Sequence, residues 1–264
     1  MSIVFWTGCS NKPYAASNKK YRKQAKAFAK TIRSEPKDSV VADSLKRPLY
    51  WIGTTNFGMR KPNYVILHHT AQNSCEQTLQ TFTLEQKQVS AHYVICKDGT
   101  LHHMLNDYLR AWHAGAAKWG NETDLNSSSI GVEIDNNGTE IFSEAQLNTL
   151  LGLLATLKKN YNIPSANFIG HGDIAPGRKV DPNVNFPWKR LAENGYGLWY
   201  SDTTNVTLPE KFDPILALRI IGYDVSNNIA TIQAFRRHFL QTEKTGELSE
   251  GEKKVLYMVM QKYM

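Results

Sequence analysis

Four short apolar runs, each bounded by turn-forming residues, predict the strands of the fold. They cover residues 64–67, 93–96, 129–134 and 167–170, and branched or aromatic side chains dominate them, as is usual in strands. The first run, Tyr-Val-Ile-Leu, contains no charged residue, which is typical of a strand covered on both faces. Helical patterns lie between the runs. The chain is therefore predicted to be an α/β protein with a central sheet flanked by helices.

The clearest helix is predicted at residues 144–160. Ser143 can cap its first turn, and Gln146, three residues later, completes the pattern of a capping box. Five leucines recur at helical spacing and predict one buried stripe. They are Leu147, Leu150, Leu151, Leu154 and Leu157. A second helix is predicted around residues 75–88.

The C-terminal tail shows three short helical patterns after a loop and linker at residues 194–207. Asp213 precedes a first-turn proline in the first pattern, Ser226 begins the second, and Ser249 caps the third. The apolar positions predicted to face inward are Ile229, Ile232, Phe235 and Phe239, followed by Val255, Leu256 and Val259. Residues 208–264 are thus predicted to form a small three-helix bundle with a joint core.

Two adjacent histidines end the first apolar run, in the stretch YVILHHTA. Because side chains alternate along a strand, His68 and His69 are predicted to point to opposite sides of the sheet. Further along, the stretch NFIGHGDIAPGRKVDP places His171 at a strand end and Asp181 in the loop that follows. Two histidines and a carboxylate would make an open catalytic zinc site, with one position left for water. On these residues alone, a proline-stiffened loop with Asp181 as a turn residue remains the alternative.

Five stretches together carry a resemblance to a known family. They read VILHHTA (65–71), SAHYVICKDG (90–99), AWHAG (111–115), SSIGVEI (128–134) and GHGDIAPGRKVDPN (170–183). In this order they resemble the zinc-dependent N-acetylmuramoyl-L-alanine amidases of the type 2 family, which are related to phage T7-type lysozyme and the peptidoglycan recognition proteins. The resemblance covers roughly residues 48–200 and implies a mixed sheet. The tail resembles the peptidoglycan-binding module of the outer-membrane lipoprotein amidases of Gram-negative bacteria.

The resemblance implies a role for particular residues. The three zinc ligands fall on His68, His171 and Asp181, the acidic catalytic residue on Glu133, and the basic catalytic residue on Lys179. A zinc ion, Zn²⁺, is the implied cofactor.

Substrate contacts are implied for a second group. Arg178 matches an arginine that contacts the stem-peptide carboxylate in cytoplasmic relatives, and Trp112 and His113 are predicted to line the sugar groove, with buried packing as the alternative. Ala91 stands where the recognition-protein branch has a groove tyrosine, so no tyrosine role is expected there. The remaining histidines, His92, His102, His103 and His238, are predicted to be core, packing or surface residues.

The implied reaction is hydrolysis of the amide bond between N-acetylmuramic acid and L-alanine in peptidoglycan or muropeptides, by a monomeric enzyme of cell-wall remodelling or recycling. The alternative is a peptidoglycan-binding recognition protein that keeps the fold and lacks catalysis. The three ligand positions together with Glu133 favour the enzyme. Residues 48–200 would be the catalytic domain and residues 208–264 the wall-binding module.

The formal charge of +7 belongs to one arm of the chain. Residues 18–37 hold eight lysine or arginine residues and one acid, so the other residues balance to zero. Tyr21, Ala25, Phe28 and Ile32 fall at helical spacing and predict a basic amphipathic helix. Its role is open between a spacer docked on the domain and attraction to anionic lipid headgroups or wall polymer. Nucleic acid is not expected as a partner, because no recognition module accompanies the charge.

The N-terminal stretch MSIVFWTGC ends like a lipoprotein processing site. Its apolar part is too short for a signal peptide, so we interpret it as the remnant of a signal whose true start lies earlier, with Cys9 as the lipidated residue. A chance cysteine in a disordered N-terminus is the alternative. Residues 1–47 would then be a signal remnant and basic tether, and the protein a periplasmic one, anchored to the outer membrane. The three cysteines, Cys9, Cys75 and Cys96, predict no even disulfide framework.

Overall fold

The computed structural model describes residues 13–33, 54–56 and 58–264. The chain divides into two compact units, Met1–Gly58 and Met59–Met264. In the first unit the described residues form one helix, α1 (Ala15–Arg33), in which no side chain is buried. The predicted basic helix is confirmed, whereas Cys9 and much of the predicted tether lie outside the described residues. Within those residues no helix combines the length and the apolar character needed to cross a membrane.

Five strands form one mixed sheet in the second unit. They are β1 (Tyr64–His69), β2 (Tyr93–Ile95), β3 (Leu101–His103), β4 (Ser129–Ile134) and β5 (Phe168–Gly170), in the order β3-β2-β4-β1-β5. Neighbouring strands are parallel except at the edge, where β3 pairs antiparallel with β2. The predicted mixed sheet is confirmed. The pattern missed β3 because this strand is largely exposed and therefore lacks an apolar run.

Helices lie on both faces of this sheet. They are α2 (Cys75–Thr83), α3 (Leu125–Ser128), α4 (Glu144–Tyr161), α5 (His171–Ile174), α6 (Trp188–Glu193), α7 (Pro214–Ile221), α8 (Asn228–Phe235) and α9 (Glu250–Met260). The capping box between Ser143 and Gln146 at the start of α4 is confirmed. The helix predicted at residues 75–88 is α2 followed by a separate 3-10 turn, Glu85–Lys87.

The alternation of side chains divides the core into two clusters. Val65 and Leu67 of β1 point to one face, where the leucines of α4 cover them. Leu151 of the predicted leucine stripe is only half-buried against this cluster. Ile66 points to the other face and packs in a second cluster with Ile169. Each face of the sheet thus has its own apolar cover.

The tail supplies the cover of the second face. Leu218, Phe235 and Leu256, one from each tail helix, are buried in the same cluster as Ile66. The helical tail is therefore present as predicted, but its core is shared with the sheet. Removing residues 208–264 would uncover this face to water.

One predicted inward position in the tail is wrong. The N-cap of α8 is Asn227, not Ser226, and Ile229 lies in the first turn, 72% exposed. The buried positions of this helix are Ala230, Thr231, Ala234 and Phe235.

A disulfide joins Cys75 to Cys96, contrary to the expectation from the cysteine count. It connects the first residue of α2 to the residue after β2, with the two Cα atoms 5.2 Å apart. The sequence contains three cysteines, and this odd number gave no indication of a pair between Cys75 and Cys96. The tertiary fold brings together two cysteines that are 21 residues apart in sequence.

A buried arginine ties the last helix to the rest of the tail. Arg236 is fully buried, and its guanidinium donates to both carboxylate oxygens of Glu252, at 2.8 and 3.1 Å. Carbonyl oxygens of Lys244, Gly246 and Glu247 accept its other hydrogen bonds. The hydrogen bond from Arg236 lowers the pKa of Glu252 to about 2.

We expect Glu252→Gln to lower the free energy of unfolding at neutral pH by about 2–3 kcal/mol. The NH2 group of the glutamine amide would face the N–H donors of Arg236, and the buried guanidinium would lose its negatively charged partner. Since the folded pKa of Glu252 is below the ordinary value of 4.5, the difference between the two proteins is full above pH 4.5. It should shrink as the pH falls towards 2. Urea unfolding across this range measures it. The exposed Glu250 lies in the same helical turn and has Lys253 as its partner. Glu250→Gln should change stability by less than about 1 kcal/mol; equal losses in the two variants would contradict the assignment.

Candidate active site

The pairing of β1 with β4 places His68 beside Glu133. These two residues are directly opposite each other in the parallel register, one position before each strand ends. Because they follow Ile66 and Gly131 by two positions, both point to the face that the tail covers. The Nδ1 atom of His68 lies 3.9 Å from Glu133 Oε1. The carboxyl ends of the two central strands thus bring a histidine and a carboxyl group together.

The loop after β5 brings two more groups to the same place. His171 begins α5 directly after β5, and the amide of Gly172 donates to the carbonyl of Asp181 at 2.7 Å, which closes the loop on itself. The Asp181 carboxylate then lies between the two imidazoles. Its Oδ2 atom is 3.0 Å from the Nδ1 atom of His68 and 3.0 Å from the Nδ1 atom of His171.

The hydrogen bonds behind His68 determine which ring nitrogen carries the proton. Burial, with a smaller effect of His171, lowers the pKa of His68 to about 4, and burial lowers the pKa of His113 well below its usual value. Ser129 Oγ donates its proton to the Leu125 carbonyl, so it accepts from His113 Nε2 at 3.2 Å. His113 Nδ1 then accepts from His68 Nε2 at 3.1 Å. The Nδ1 atom of His68 therefore carries a lone pair.

The same reasoning applies to His171. Its Nε2 atom donates to the carbonyl of Ala114 at 3.0 Å, so a neutral His171 also turns an unprotonated Nδ1 towards Asp181. Three lone-pair-bearing atoms from His68, His171 and Asp181 thus lie within 4.8 Å of one another. Such atoms repel each other unless a cation lies between them. Two imidazole nitrogens and a carboxylate oxygen are a donor set that suits zinc, so the residues present fit this ion.

Glu133 is a buried carboxyl group without a full set of partners. Burial, reinforced by the negative charge of Asp181, raises its pKa well above the usual value, although Lys179 opposes this. Within the described residues its Oε2 atom has no hydrogen-bond partner. A buried acid that is unpaired on one side and adjoins a metal site is suited to exchanging a proton.

A cleft of about 460 Å³ opens next to these groups. Lys179, Arg178, Trp112 and His113 all line it, so the four further residues predicted for catalysis or substrate contact lie around one opening. Trp112 is 51% exposed at the rim, so it is not a buried packing residue, and its contact with a sugar stays a prediction. His113 is buried, and its main contacts are with His68 and Ser129.

Two glycines allow this arrangement. A Cβ atom at Gly131 would lie 2.5 Å from the His113 ring, so only glycine on β4 leaves room for that imidazole beneath the sheet. Gly115 has a positive φ of 60° and lies against the guanidinium of Arg178. Arg178 also donates to the Ala114 carbonyl at 2.6 Å. These contacts explain why glycine occurs in the AWHAG and SSIGVEI stretches.

The other histidines lie away from the three converging atoms. His69 is buried on the opposite side of the sheet, where its Nδ1 accepts from the amide of Asn183 at 3.1 Å. His92 is buried in the core, and its Nδ1 accepts from the amide of Gly131 at 3.0 Å. His103 is exposed and stacks on Tyr93. His238 is a buried packing residue.

A buried network joins the tail to the loop that carries His171. Asp173 accepts from the amide of Gly170 at 2.8 Å, from the Tyr223 hydroxyl at 2.7 Å and from His238 Nδ1 at 2.7 Å. The His238 ring stacks on Trp188 with 3.9 Å between centroids. Two tail residues thus hold the carboxylate that fixes the backbone before His171. Sequence reasoning missed Asp173, although an acid two positions after a ligand histidine was the available signal.

Comparison with known proteins points to one family. Residues 58–184 match the family model described as N-acetylmuramoyl-L-alanine amidase. The N-acetylmuramoyl-L-alanine amidase AmiD of Escherichia coli is 30% identical over 230 residues, which cover 75% of this chain and 82% of AmiD.

Solved structures match most of the chain. A complex of E. coli AmiD with anhydro-N-acetylmuramic acid-L-Ala-D-gamma-Glu-L-Lys has a TM-score of 0.70 at 28% identity, covering 80% of this chain and 93% of that chain. A complex of AmpDH3 from Pseudomonas aeruginosa with anhydromuramic pentapeptide has a TM-score of 0.69 at 29% identity, covering 83% of this chain and 99% of that chain. From its sequence and its fold, the chain belongs to the N-acetylmuramoyl-L-alanine amidase family.

Proposed function

We propose that this protein is a zinc-dependent amidase that hydrolyses the bond between N-acetylmuramic acid and L-alanine in peptidoglycan or its soluble muropeptides. The observation that carries the proposal is the convergence of His68 and His171, each through Nδ1, on the Asp181 carboxylate. Glu133 adjoins this group, and the cleft beside it is large enough for a sugar–peptide segment.

The chemistry of the site follows from the residues around the zinc position. When bound, zinc lowers the pKa of a water molecule to about 7 and polarises the scissile carbonyl. Glu133 takes the proton of the attacking water and returns one to the departing amine of L-alanine. Its raised pKa suits both steps, because the carboxyl group can hold the proton between them.

The groups that line the cleft bind and orient the substrate. The Lys179 ammonium would stabilise the negative charge that develops on the carbonyl oxygen. The planar guanidinium of Arg178 suits a free carboxylate of the stem peptide. Trp112, exposed at the rim, offers a flat apolar surface to the sugar ring.

Digestion of purified sacculi and of a soluble muropeptide tests the proposal. We expect both to release peptides with a new L-alanine amino terminus and glycans with a free lactyl carboxylate. A chelator should abolish release, and added zinc should restore it. Zinc-loaded protein that binds sacculi without forming new termini would instead identify a recognition protein that lacks catalysis.

For location, we propose the periplasm, with attachment to the outer membrane through a lipid on Cys9. The Cys75–Cys96 disulfide supports an oxidising compartment. Cys9 lies outside the described residues, so its support comes from the Thr-Gly-Cys sequence alone. Labelling with a radioactive fatty acid in a Gram-negative host, with Cys9→Ser as the control, tests the attachment.

Replacing His238 should weaken zinc binding from a distance. His238→Phe keeps a ring to stack on Trp188 but removes the donor to Asp173. We expect the zinc dissociation constant to rise by about tenfold, as for other residues that orient a ligand indirectly, and stability to fall by about 1–3 kcal/mol. Competition with a fluorescent zinc chelator measures the affinity.

The matched control is His103→Phe. His103 also stacks on an aromatic ring and has a carboxylate partner, but its side chain is half-exposed and belongs to the edge strand. Its zinc affinity should stay unchanged. If His238→Phe lowers stability alone, the network holds the tail without positioning His171.

We also propose that residues 208–264 contribute to binding polymeric wall. Because deletion would uncover the sheet, footprinting of the intact, zinc-stripped protein by hydroxyl radicals is the better measurement. Insoluble sacculi should reduce oxidation of the exposed tail residues Leu216 and Ile229 but not of Ile141, which is more exposed than either and lies on another part of the chain. A soluble muropeptide should protect none of the three. Unchanged oxidation of the tail in sacculi would contradict the wall-binding role.

A further inference from the structure

Helix α1 carries two stripes of opposite character. Tyr21, Ala25, Phe28 and Ile32 follow one another at spacings of four, three and four residues, and Lys19, Lys23, Lys26 and Lys30 repeat the same spacing two residues earlier. At about 100° per residue, an offset of two residues places the stripes on nearly opposite sides of the helix. Arg22 and Arg33 add to the charge, and the helix contains no acidic residue.

The C-terminal half of the apolar stripe faces water, whereas Tyr21 and Ala25 are half-buried. Phe28 is 54% exposed and Ile32 is 74% exposed, and no residue of α1 is buried. A phenylalanine and an isoleucine side by side in a solvated helix form a surface that favours burial. The helix is far too polar to cross a bilayer. Burial of the apolar stripe therefore requires a partner surface on which the helix can lie.

The combination of the two stripes restricts the chemistry of that partner. An anionic polymer, such as nucleic acid or a wall polyanion, would use the lysines and leave Phe28 and Ile32 in water. A second copy of the helix would cover the apolar stripe while adding more positive charge nearby. The rest of the chain has no net charge to attract the helix. A bilayer with anionic headgroups offers both phosphate charge and hydrocarbon.

We propose that α1 is an interfacial helix that lies in the plane of an anionic lipid bilayer. Phe28 and Ile32 insert at the boundary between headgroups and acyl chains, and the lysines reach the surrounding phosphates. This role is separate from the amidase reaction and from any lipid on Cys9. A basic apolar helix and one acyl chain would together supply the two signals that stable anchoring requires.

Flotation with vesicles tests the proposal on the full chain, in a Cys9→Ser background that excludes an acyl anchor. The protein should float with vesicles of phosphatidylethanolamine and phosphatidylglycerol and remain behind with phosphatidylcholine alone. Phe28→Ala/Ile32→Ala preserves helix propensity and should reduce the bound fraction by about tenfold. Replacing Lys19, Lys23, Lys26 and Lys30 by glutamine should reduce it at least as much.

Matched substitutions in the second unit serve as controls. Met59→Ala/Ile141→Ala removes two exposed apolar side chains, and glutamine at the exposed Lys61, Lys118, Lys159 and Lys189 removes four charges. Both should float like the parent. Circular dichroism and hydrolysis of a soluble muropeptide show that each variant is folded. Loss of binding in the lysine variant with full binding in the Phe28/Ile32 variant would overturn the interfacial helix and favour an anionic polymer as the partner. A parent protein that floats with neither kind of vesicle would also overturn the proposal.

Discussion

Replacing Glu133 by glutamine should lower kcat by about a hundred- to ten-thousand-fold while the zinc content stays that of the parent protein. Glutamine keeps the size of the side chain but can neither take nor return a proton. The substitution also removes no atom from the three that converge, since Glu133 Oε1 lies 3.9 Å from His68 Nδ1. Turnover of a soluble muropeptide and metal analysis of the same sample provide the two measurements.

Glu193→Gln is the control for the Glu133 variant. Glu193 is an exposed residue whose partner is Lys189 in the preceding helical turn, so its replacement should leave both kcat and zinc content unchanged. A Glu133→Gln protein with nearly normal kcat would remove this residue from the mechanism. Loss of zinc along with activity would identify Glu133 as a ligand instead.

Replacing His68 and His69 one at a time should give opposite results for zinc. His68→Ala removes one of the three converging atoms, so the zinc affinity should fall by more than about a hundredfold, beyond the usual effect of a residue that only orients a ligand. His69→Ala should keep zinc and lose about 1–3 kcal/mol of stability, because the Asn183 amide would lose its acceptor inside the protein. Metal analysis after dialysis, together with thermal unfolding, distinguishes the two variants.

The opposite results expected for the two histidine variants follow from the register of β1. His68 is opposite Glu133 and His69 is opposite Ile134, whose side chain belongs to the α4 side of the sheet. A shift of one residue would exchange the two histidines between the faces. Zinc retained by His68→Ala and lost by His69→Ala would therefore show that β1 pairs in another register.

The tail has a closer relation to the site than its position at the end of the chain indicates. Its helices cover the face of the sheet on which His68 and Glu133 lie, and Tyr223 and His238 hold Asp173 next to His171. Truncation of the tail would thus disturb the loop that carries His171 together with any wall contact of the kind proposed above. Single substitutions and footprinting of the intact chain avoid this combined loss.

Much of the fold could be predicted because local patterns determine it. The run at residues 129–134 coincides with β4, and Ser143 with Gln146 marks the start of α4, since a capping box satisfies its own backbone amides without help from the rest of the protein. Strand alternation likewise separates His68 from His69 before any tertiary contact is known. The residue types and strand ends suggested His171 and Asp181 as partners of His68, and the motif resemblance added Glu133.

Only the tertiary structure decided what depends on contacts between distant segments. Three such contacts join residues that lie far apart in the sequence and share no periodic pattern. They are the Cys75–Cys96 disulfide, the packing of the tail against Ile66 and the burial of His238 beside Asp173. The protonation of His68 is of the same kind, because it depends on a chain of hydrogen bonds through His113 and Ser129 to the Leu125 carbonyl. Sequence alone determined which residues could bind a metal. The fold determined that their lone pairs meet at one point, because only packing turns each imidazole so that its proton lies on the far side.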